Sequence, residues 1–453
     1  PFLIRAAGST GRIETAFRTR LSTYRDPRGV EYFANSSAVR LPAAISGGVL
    51  GVIGLTNTVR EHAGAVPVRT TRRPVRTTRR PAGRGSADSQ ASCETPYVTR
   101  AELFASVSGT SFPYGFGGGP ACSGMTPAQD NSIYDAPHVG PRGRGAGVTA
   151  AVFELSAYLP SDIDTWARTL YGSGYTPPLA DDIVDGGPLS PQCPAGDTCP
   201  PDINGYASDF EVNGDIELEL SIAPDLRHLI VYNAPNDFTG QTELDEYTAM
   251  ASDDTAATIS SSYSACENDV TAAYVRSENV VFEQMALQGQ SVFNDNQDDG
   301  AFGCIRSDGT DIVDVQDPSS QPWVTSVGGT SLESDNPGTS PHPAYPHGTE
   351  TAWNTEPAPG WFMIGGTSMS TPLWAATTAD RDSFAGLRTG NVNPLLYLLF
   401  NTAPGRYFHD ITGVGPAQQA ATTNGLFPTT QGYDLATGIG TPEMTALITS
   451  SGT

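Results

Sequence analysis

A series of short apolar segments, separated by helical stretches, most constrains the fold of this chain. The apolar segments are rich in β-branched and small residues and are interrupted by few polar ones. Strands are predicted over residues 145–153, 227–235, 256–263, 290–295 and 322–330, and helices over residues 160–172, 242–254 and 277–289. Apolar strands that alternate with helices are typical of a mostly parallel sheet with helices on its faces. The sequence therefore predicts an α/β domain.

Charge is distributed very unevenly along the 453 residues. There is no lysine, and 15 of the 25 arginines but only five of the 49 acids lie in residues 1–90, which gives a leader of +10 and a remainder of −34. Such halves attract each other at neutral pH, and protonation of carboxylates in acid weakens the attraction. The basic leader lacks interleaved aromatics and any nucleic-acid-binding module, so we expect no nucleic-acid partner.

The six cysteines indicate disulfides and an exported protein. Zinc ligation is disfavoured because the paired short spacings with histidines are missing. The apolar stretch 41–55 is broken by glycines and is too short for a membrane span, so we expect no membrane partner. The chain begins at Pro1, so we expect an initiator and any signal peptide to be missing from it.

Three regions are predicted. Residues 1–57 have the pattern of a small folded unit, and residues 58–92 contain the tandem arginine-rich repeat VRTTRRPVRTTRRP, which has almost nothing to bury. This linker is either a spacer or a protease-sensitive activation segment. The remaining residues, 93–453, form the predicted α/β domain.

Ser368 lies in the stretch IGGTSMSTPLWAA, where small residues precede a serine and an apolar run follows. This pattern predicts a tight turn that delivers a hydroxyl to a helix N-terminus, as in many serine nucleophiles. A subtilisin-type histidine base is not evident. His347 is only 21 residues before Ser368, too close for the intervening elements, and its proline-rich surroundings favour a surface loop.

Glu211 and Asp215 offer a different base. They are four residues apart and so share one face of the predicted helix, which continues into an apolar run. Two carboxyls held close together rarely ionise together, so one pKa rises and the pair can share a proton. A solvated acidic helix face is the alternative, and the apolar residues Leu218, Leu220 and Ile222 argue against it.

The order of these motifs resembles the sedolisins, or serine-carboxyl peptidases. The resemblance rests on an E-x-x-x-D pair, a later aspartate in a glycine-containing turn, G-T-S, and the stretches ISSSYSACE, DPSSQPWVTSVGGTSL, FHDITG and QGYDLATGIGTP. Residues 11–55 resemble the last part of the family's propeptide. The resemblance implies a subtilisin-like, mostly parallel sheet flanked by helices and preceded by a small α/β propeptide fragment.

The resemblance also assigns catalytic roles. It makes Ser368 the nucleophile of an acyl-enzyme, Glu211 its base, Asp215 the acid that supports the base, and Asp298 the oxyanion donor. Asp298 departs from the family pattern, because Asn296 and Gln297 precede it where Ser-Gly is usual, and Asp299 or Asp295 remain alternatives.

A calcium site is implied by the same resemblance. It would bind one Ca²⁺ through the side chains of Asp410 and Asp434 and the carbonyls of Ile411, Thr430 and Gly432, and such oxygen ligands suit calcium. The disulfide pairs suggested are Cys93–Cys122, Cys193–Cys199 and Cys266–Cys304.

The segment between Asn354 and Gly365 is shorter than in the family, so a core strand there is expected to be missing. The leading hypothesis is a secreted, monomeric, acid-acting serine-carboxyl peptidase that hydrolyses polypeptides and is inhibited by its own propeptide. A glutamate base and a protonated aspartate donor suit acid, where a histidine base fails. The alternatives are a neutral subtilisin-type protease and a catalytically impaired, peptide-binding relative.

Overall fold

The computed structural model describes residues 3–25, 29, 31–58, 62–63, 66–68, 134–136, 143–158, 160–188, 210–236, 239–304, 312–334, 348–352, 363–412 and 424–450. The described strands are β1 (Leu21–Arg25), β2 (Glu31–Asn35), β3 (His62–Ala63), β4 (Val66–Val68), β5 (Thr149–Glu154), β6 (Leu179–Ile183), β7 (His228–Asn233), β8 (Thr258–Ser261), β9 (Tyr263–Cys266), β10 (Ser291–Asp295), β11 (Gln316–Asp317), β12 (Val324–Val327), β13 (Thr330–Ser334), β14 (Gly348–Ala352), β15 (Met363–Gly365), β16 (Phe408–His409) and β17 (Thr441–Pro442). The described helices are α1 (Thr10–Phe17), α2 (Ala43–Ser46), α3 (Pro160–Tyr171), α4 (Phe210–Ile222), α5 (Gln241–Asp253), α6 (Ala272–Gln288), α7 (Thr367–Ala385), α8 (Asn393–Thr402), α9 (Pro404–Tyr407) and α10 (Met444–Ile448).

Six of the described strands form one parallel sheet in the order β12-β10-β8-β5-β7-β6. Every residue of the central strand β5 is buried, and its Val152 lies opposite Val231 on one side and Ser260 on the other. The predicted α/β fold is therefore confirmed. The edge strand β6 was not predicted, because its sequence LADDI contains two aspartates and its residues are only partly buried.

Alternate residues of β5 supply the two faces of the core. Ala151 and Phe153 face a cluster that includes α5 and α6, where the rings of Phe153 and Tyr247 stack with centroids 4.4 Å apart. Ala150 and Val152 face the opposite cluster, which includes α3, α4 and α7. Because successive strand side chains point to opposite faces, a run that is apolar throughout fits only a sheet that is covered on both sides.

The parallel sheet ends at β12 within the described part of the chain. The strand just before Ser368, β15, does not join this sheet and instead pairs antiparallel with β4 from the predicted linker. Residues 353–362, where the shortening falls, lie outside the described residues.

The N-terminal residues form a small unit of α1, α2 and the antiparallel pair β1–β2, as expected for an α/β propeptide fragment. The unit contacts α5 and α6. Leu3 packs on the core cluster of that face, Arg5 pairs with Asp185 and Asp245, and the Thr58 hydroxyl donates to the carbonyl of Asp269.

The closest approach in this contact is at Gly51. A Cβ built on Gly51 would lie 2.7 Å from the Cβ of Ala273 and 3.1 Å from its carbonyl oxygen. Only a residue without a side chain fits against the first turn of α6 at this distance.

We predict that Gly51→Val weakens docking of residues 3–58, because the new side chain meets the backbone of α6 rather than a flexible side chain. The measurement is the rate at which an added protease removes the N-terminal residues at pH 7. Gly47→Val is the matched control, since a Cβ on Gly47 meets nothing within 4 Å. Equal cleavage rates in the two variants would show that the Gly51 contact does not hold the unit.

Candidate active site

Ser368 lies at the start of α7, as predicted. Gly366 precedes the helix with φ 146°, a positive φ that favours glycine, and Thr367 and Ser368 open the helix. The Ser368 side chain is fully buried, and among the described residues its Oγ has no hydrogen-bond partner. The turn therefore places an unengaged hydroxyl at a helix N-terminus.

Helix α4 brings Glu211 and Asp215 to the same place. Both carboxyls are buried, as the apolar continuation of the helix indicated. Between them, Gly214 faces α7, where a Cβ would lie 2.9 Å from the Cε of Met369. The small residue therefore lets the helix that carries the acids pack closely on the helix that carries Ser368.

Ser262, between β8 and β9, links the acid pair to the serine. Its Oγ is 2.8 Å from Asp215 Oδ1, to which it donates, and 3.2 Å from the carbonyl oxygen of Ser368. Ser262 is itself fully buried. Sequence alone does not single out this residue, because a serine in a small-residue strand carries no distinguishing pattern.

Glu154 is a further acid that the sequence analysis did not assign. It ends β5, is fully buried, and lies close enough to Asp215 to share a proton with it. A signal was present in the sequence, because a carboxyl at the end of a buried parallel strand falls at the edge where sites of α/β sheets form.

Burial raises the pKa of two acids in this cluster. Desolvation raises the pKa of Glu154 well above its usual range, and the charges of Asp215 and Glu211 raise it further. Desolvation likewise raises the pKa of Asp215 well above its usual range, while the hydrogen bond from Ser262 lowers it. The cluster therefore holds protons at a pH where exposed carboxyls have lost them.

Asp298 lies beside the N-terminus of α7. Its Oδ1 accepts a hydrogen bond from the Thr367 amide at 2.8 Å, so the carboxyl is adjacent to Ser368. Of the two alternatives, Asp295 lies 3.3 Å from the Thr367 hydroxyl, and Asp299 is buried. The geometry favours Asp298 over both as the group next to the nucleophile.

The predicted calcium ligands lie in two loops that meet. Asp410 Oδ2 accepts the Gly432 amide at 2.8 Å, and Asp434 Oδ2 accepts the Thr430 amide at 2.8 Å. Asp434 is buried, and in the described part of the chain neither carboxylate forms an ion pair with a cationic side chain. Two carboxylates and nearby carbonyls without a counter-charge are a donor set that suits a hard divalent cation.

A disulfide joins Cys266 at the end of β9 to Cys304, as suggested. Asp314 lies beside both sulfurs, but sulfurs that are bonded to each other are not thiolate ligands. The other suggested pairs, Cys93–Cys122 and Cys193–Cys199, lie outside the described residues, and so does His347. None of the described helices combines the length and apolarity that crossing a bilayer requires.

Comparisons with known proteins concern the N-terminal unit, the whole chain and the fold. Residues 1–58 match the family described as "Pro-kumamolisin, activation domain". The chain is 26% identical to kumamolisin of Bacillus sp. (strain MN-32) over 491 residues, which cover 96% of this chain and 76% of that protein. It is similar in fold to Pseudomonas sedolisin, a serine-carboxyl proteinase solved with two molecules of pseudo-iodotyrostatin, with a TM-score of 0.57 and 20% identity over 72% of this chain and 97% of that one.

An activation domain, a helix-flanked parallel sheet and a buried serine at a helix N-terminus define the class as a serine-type peptidase with a propeptide. Within that class, the chain is similar to the sedolisins, through its match to the kumamolisin activation domain, its similarity to kumamolisin and its fold.

We predict that Asp215→Asn stabilises the folded chain at pH 7 and has less effect at pH 4. The pKa of Asp215 is raised in the folded protein, so the protonated carboxyl favours the folded state. This stabilisation is fully present below the unfolded pKa of about 4. That stability is lost as the pH rises through the folded pKa, and asparagine does not titrate. The measurement is the melting temperature of both proteins at the two pH values.

The matched control is Asp164→Asn, at an exposed position of α3, which should change the melting temperature little at either pH. A difference between Asp215→Asn and wild type that is the same at pH 4 and pH 7 would contradict the prediction.

Proposed function

We propose that this protein is a secreted, acid-acting serine-carboxyl peptidase that cleaves polypeptides through an acyl-enzyme on Ser368. The observation that carries the proposal is the buried carboxyl cluster beside Ser368, with Asp215 linked through Ser262 to the serine turn. A buried acid pair supplies a base that still functions where imidazole is protonated.

Each residue then has a defined task. Glu211 takes the proton from Ser368 as the hydroxyl attacks the peptide carbonyl, and later returns it to the leaving amine. Asp215 and Glu154 hold Glu211 in the required protonation state. Asp298, when protonated, donates its O–H to the oxyanion that develops on the carbonyl oxygen, whereas a charged Asp298 would repel it. The reaction therefore requires low pH for the Asp298 donor, and the paired carboxyls supply a base that still functions there.

The N-terminal unit fits the role of an intramolecular inhibitor. Beyond the unit, His62 pairs with Ser264 on β9, and Val66 pairs with Gly365 on β15. The strand β15 ends just before the serine turn, and β9 follows Ser262, which bonds the Ser368 carbonyl oxygen. Residues 62–63 and 66–68 therefore pair with strands on two sides of the turn, as an extended peptide would.

This register moves the expected activation site. The sequence placed the first cut between Arg69 and Cys93, in the arginine-rich repeat. Ala63 pairs with Tyr263 and Val66 pairs with Gly365, and we infer from these two pairings that the cut falls between Ala63 and Val66. A repeat at residues 69–80 then acts as a tether beyond the cut.

The proposed function is tested by incubating the protein with a denatured protein substrate from pH 2 to pH 8, with Ser368→Ala as the control. We expect hydrolysis that is greatest in acid and absent from Ser368→Ala. Activity at neutral pH that disappears in acid would favour a histidine-based protease, and no activity at any pH would favour a catalytically impaired relative.

We predict that Glu211→Gln lowers kcat by roughly 10²-fold or more, because glutamine keeps the shape of the side chain but cannot accept the proton of Ser368. The fold should be retained, as judged by circular dichroism. Glu217→Gln, on the same helix, is the matched control and should keep kcat. A Glu211→Gln enzyme with near-normal kcat would exclude Glu211 as the base.

We predict that calcium stabilises the domain through Asp410 and Asp434, with the carbonyls of Ile411, Thr430 and Gly432 as further ligands. An ion that binds only the native state stabilises it by about 2.7 kcal/mol at 100 times its Kd. Excess chelator should therefore lower the melting temperature of wild type and leave Asp434→Asn unchanged. A wild-type melting temperature that is indifferent to chelator would count against the site.

We predict that a shift from pH 7 to pH 4 releases a chain whose new N-terminus is Gly64, Ala65 or Val66. Burial raises the pKa of Asp245, so acid protonates it and weakens its pairing with Arg5, and the released segment is then cut. N-terminal sequencing of the product identifies the bond. Ser368→Ala should stay intact, and processing of that variant at the wild-type rate would exclude self-cleavage.

A further inference from the structure

Gln297 is an unusual residue in the loop between β10 and the oxyanion candidate Asp298. It has a left-handed backbone, with φ 58°, and its side chain is almost fully buried. A residue with a Cβ takes this conformation rarely, and a buried amide must find partners. Sequences of the family resembled here usually have glycine at this point. The glutamine therefore accepts strain that glycine would avoid.

The Gln297 side chain reaches Ser264 on β9, the strand that forms one wall of the cleft. Its Nε2 donates to Ser264 Oγ at 2.8 Å and lies 3.4 Å from the Ser264 carbonyl oxygen. The Ser264 hydroxyl in turn donates to Asp295 Oδ1 at 3.1 Å, and the Gln297 amide donates to Asp295 Oδ2 at 3.2 Å. The three residues form a closed ring of hydrogen bonds.

The ring is connected to the nucleophile through Thr367. The Thr367 hydroxyl lies 3.3 Å from both Asp295 Oδ2 and Asp298 Oδ1, and the Thr367 amide donates to Asp298. The orientation of the Asp298 carboxyl is thus set by groups that the ring holds in place. Moving Gln297 would move the residue next to it along the chain, which is Asp298.

Ser264, at the other end of the hydrogen-bonded ring, lies on the strand that pairs with the chain's own extended segment. Ser264 pairs with His62 of the segment that occupies the cleft. Ser264 therefore pairs with His62 while its hydroxyl accepts the hydrogen bond from Gln297 Nε2. Gln297 therefore joins the strand that holds the peptide to the loop that holds Asp298.

We propose that Gln297 is a positioning residue, which aligns Asp298 with the oxyanion through its hydrogen bond to Ser264. The proposal rests on the proposed function of Ser368 and Asp298. Its effect lies in the transition state, where the oxyanion exists, and not in the binding of the peptide. The side chain, and not the backbone conformation alone, carries the role.

The experiment compares Gln297→Asn and Gln297→Gly with wild type on a peptide substrate at the pH of greatest activity. Asparagine tolerates the left-handed backbone but is too short to reach Ser264, and glycine removes both the strain and the contact. We expect kcat to fall about fivefold in both variants, as for the loss of one buried hydrogen bond, with KM changed less than twofold. A wild-type kcat in either variant overturns the proposal.

A double-mutant cycle with Ser264→Ala measures the coupling itself. We expect Gln297→Asn/Ser264→Ala to be no slower than the slower single variant, because both changes break the same link. If the fold losses in kcat of the two single variants multiply in the double variant, the two residues act independently and the proposal is overturned. The matched control is Gln284→Asn, which shortens a glutamine on α6 that bonds a carbonyl outside the site and should leave kcat unchanged.

Ser368→Ala in the same assay separates this inference from the function on which it rests. If wild type shows no Ser368-dependent hydrolysis, the proposed function and the role of Gln297 both fall. If wild type is active and the Gln297 variants match it, only the role of Gln297 falls.

Discussion

The burial of several carboxyls in one place is the constraint on which the rest of this molecule depends. Glu154, Glu211 and Asp215 come from a strand and a helix on opposite sides of the Ser368 turn, and burial raises the pKa of the first and the last. Such groups are stable in a folded protein only when protons are shared among them. The chemistry of the site and the conditions under which the fold is most stable therefore have the same physical origin.

The close packing of α4 on α7 makes this cluster possible. Gly214 lies between the two acids and opposite Met369, so the distance between the helices is set at the same turn that carries the acids. A larger residue would have to displace Met369, the residue after the nucleophile. The site is thus built from helix packing, in contrast to sites whose residues are carried on flexible loops.

The sequence predicted the parts of the molecule that have strong local signals. Hydrophobic periodicity predicted the apolar strands and the helices between them, and residue spacing predicted the E-x-x-x-D pair. Glu154 and Ser262 had no such signal, since their importance comes from residues distant in the chain that the fold brings together. The edge strand β6 was missed because two aspartates break its apolar pattern. The pairing of residues 62–63 with β9 and of residues 66–68 with β15 could not be predicted either, because it depends on the three-dimensional arrangement of the cleft.

The placement of residues 62–68 has a consequence for how such a molecule changes over evolutionary time. A segment that pairs with both walls of its own cleft is the first peptide that the cleft meets, and it is present once per molecule at a very high local concentration. Substitutions that alter which peptides the cleft accepts also alter how this segment is accepted. In the proposed self-cleavage, substrate selectivity and removal of the N-terminal unit therefore change together. A cleft with a new substrate preference can still process its own chain only when the sequence around Ala63 changes as well.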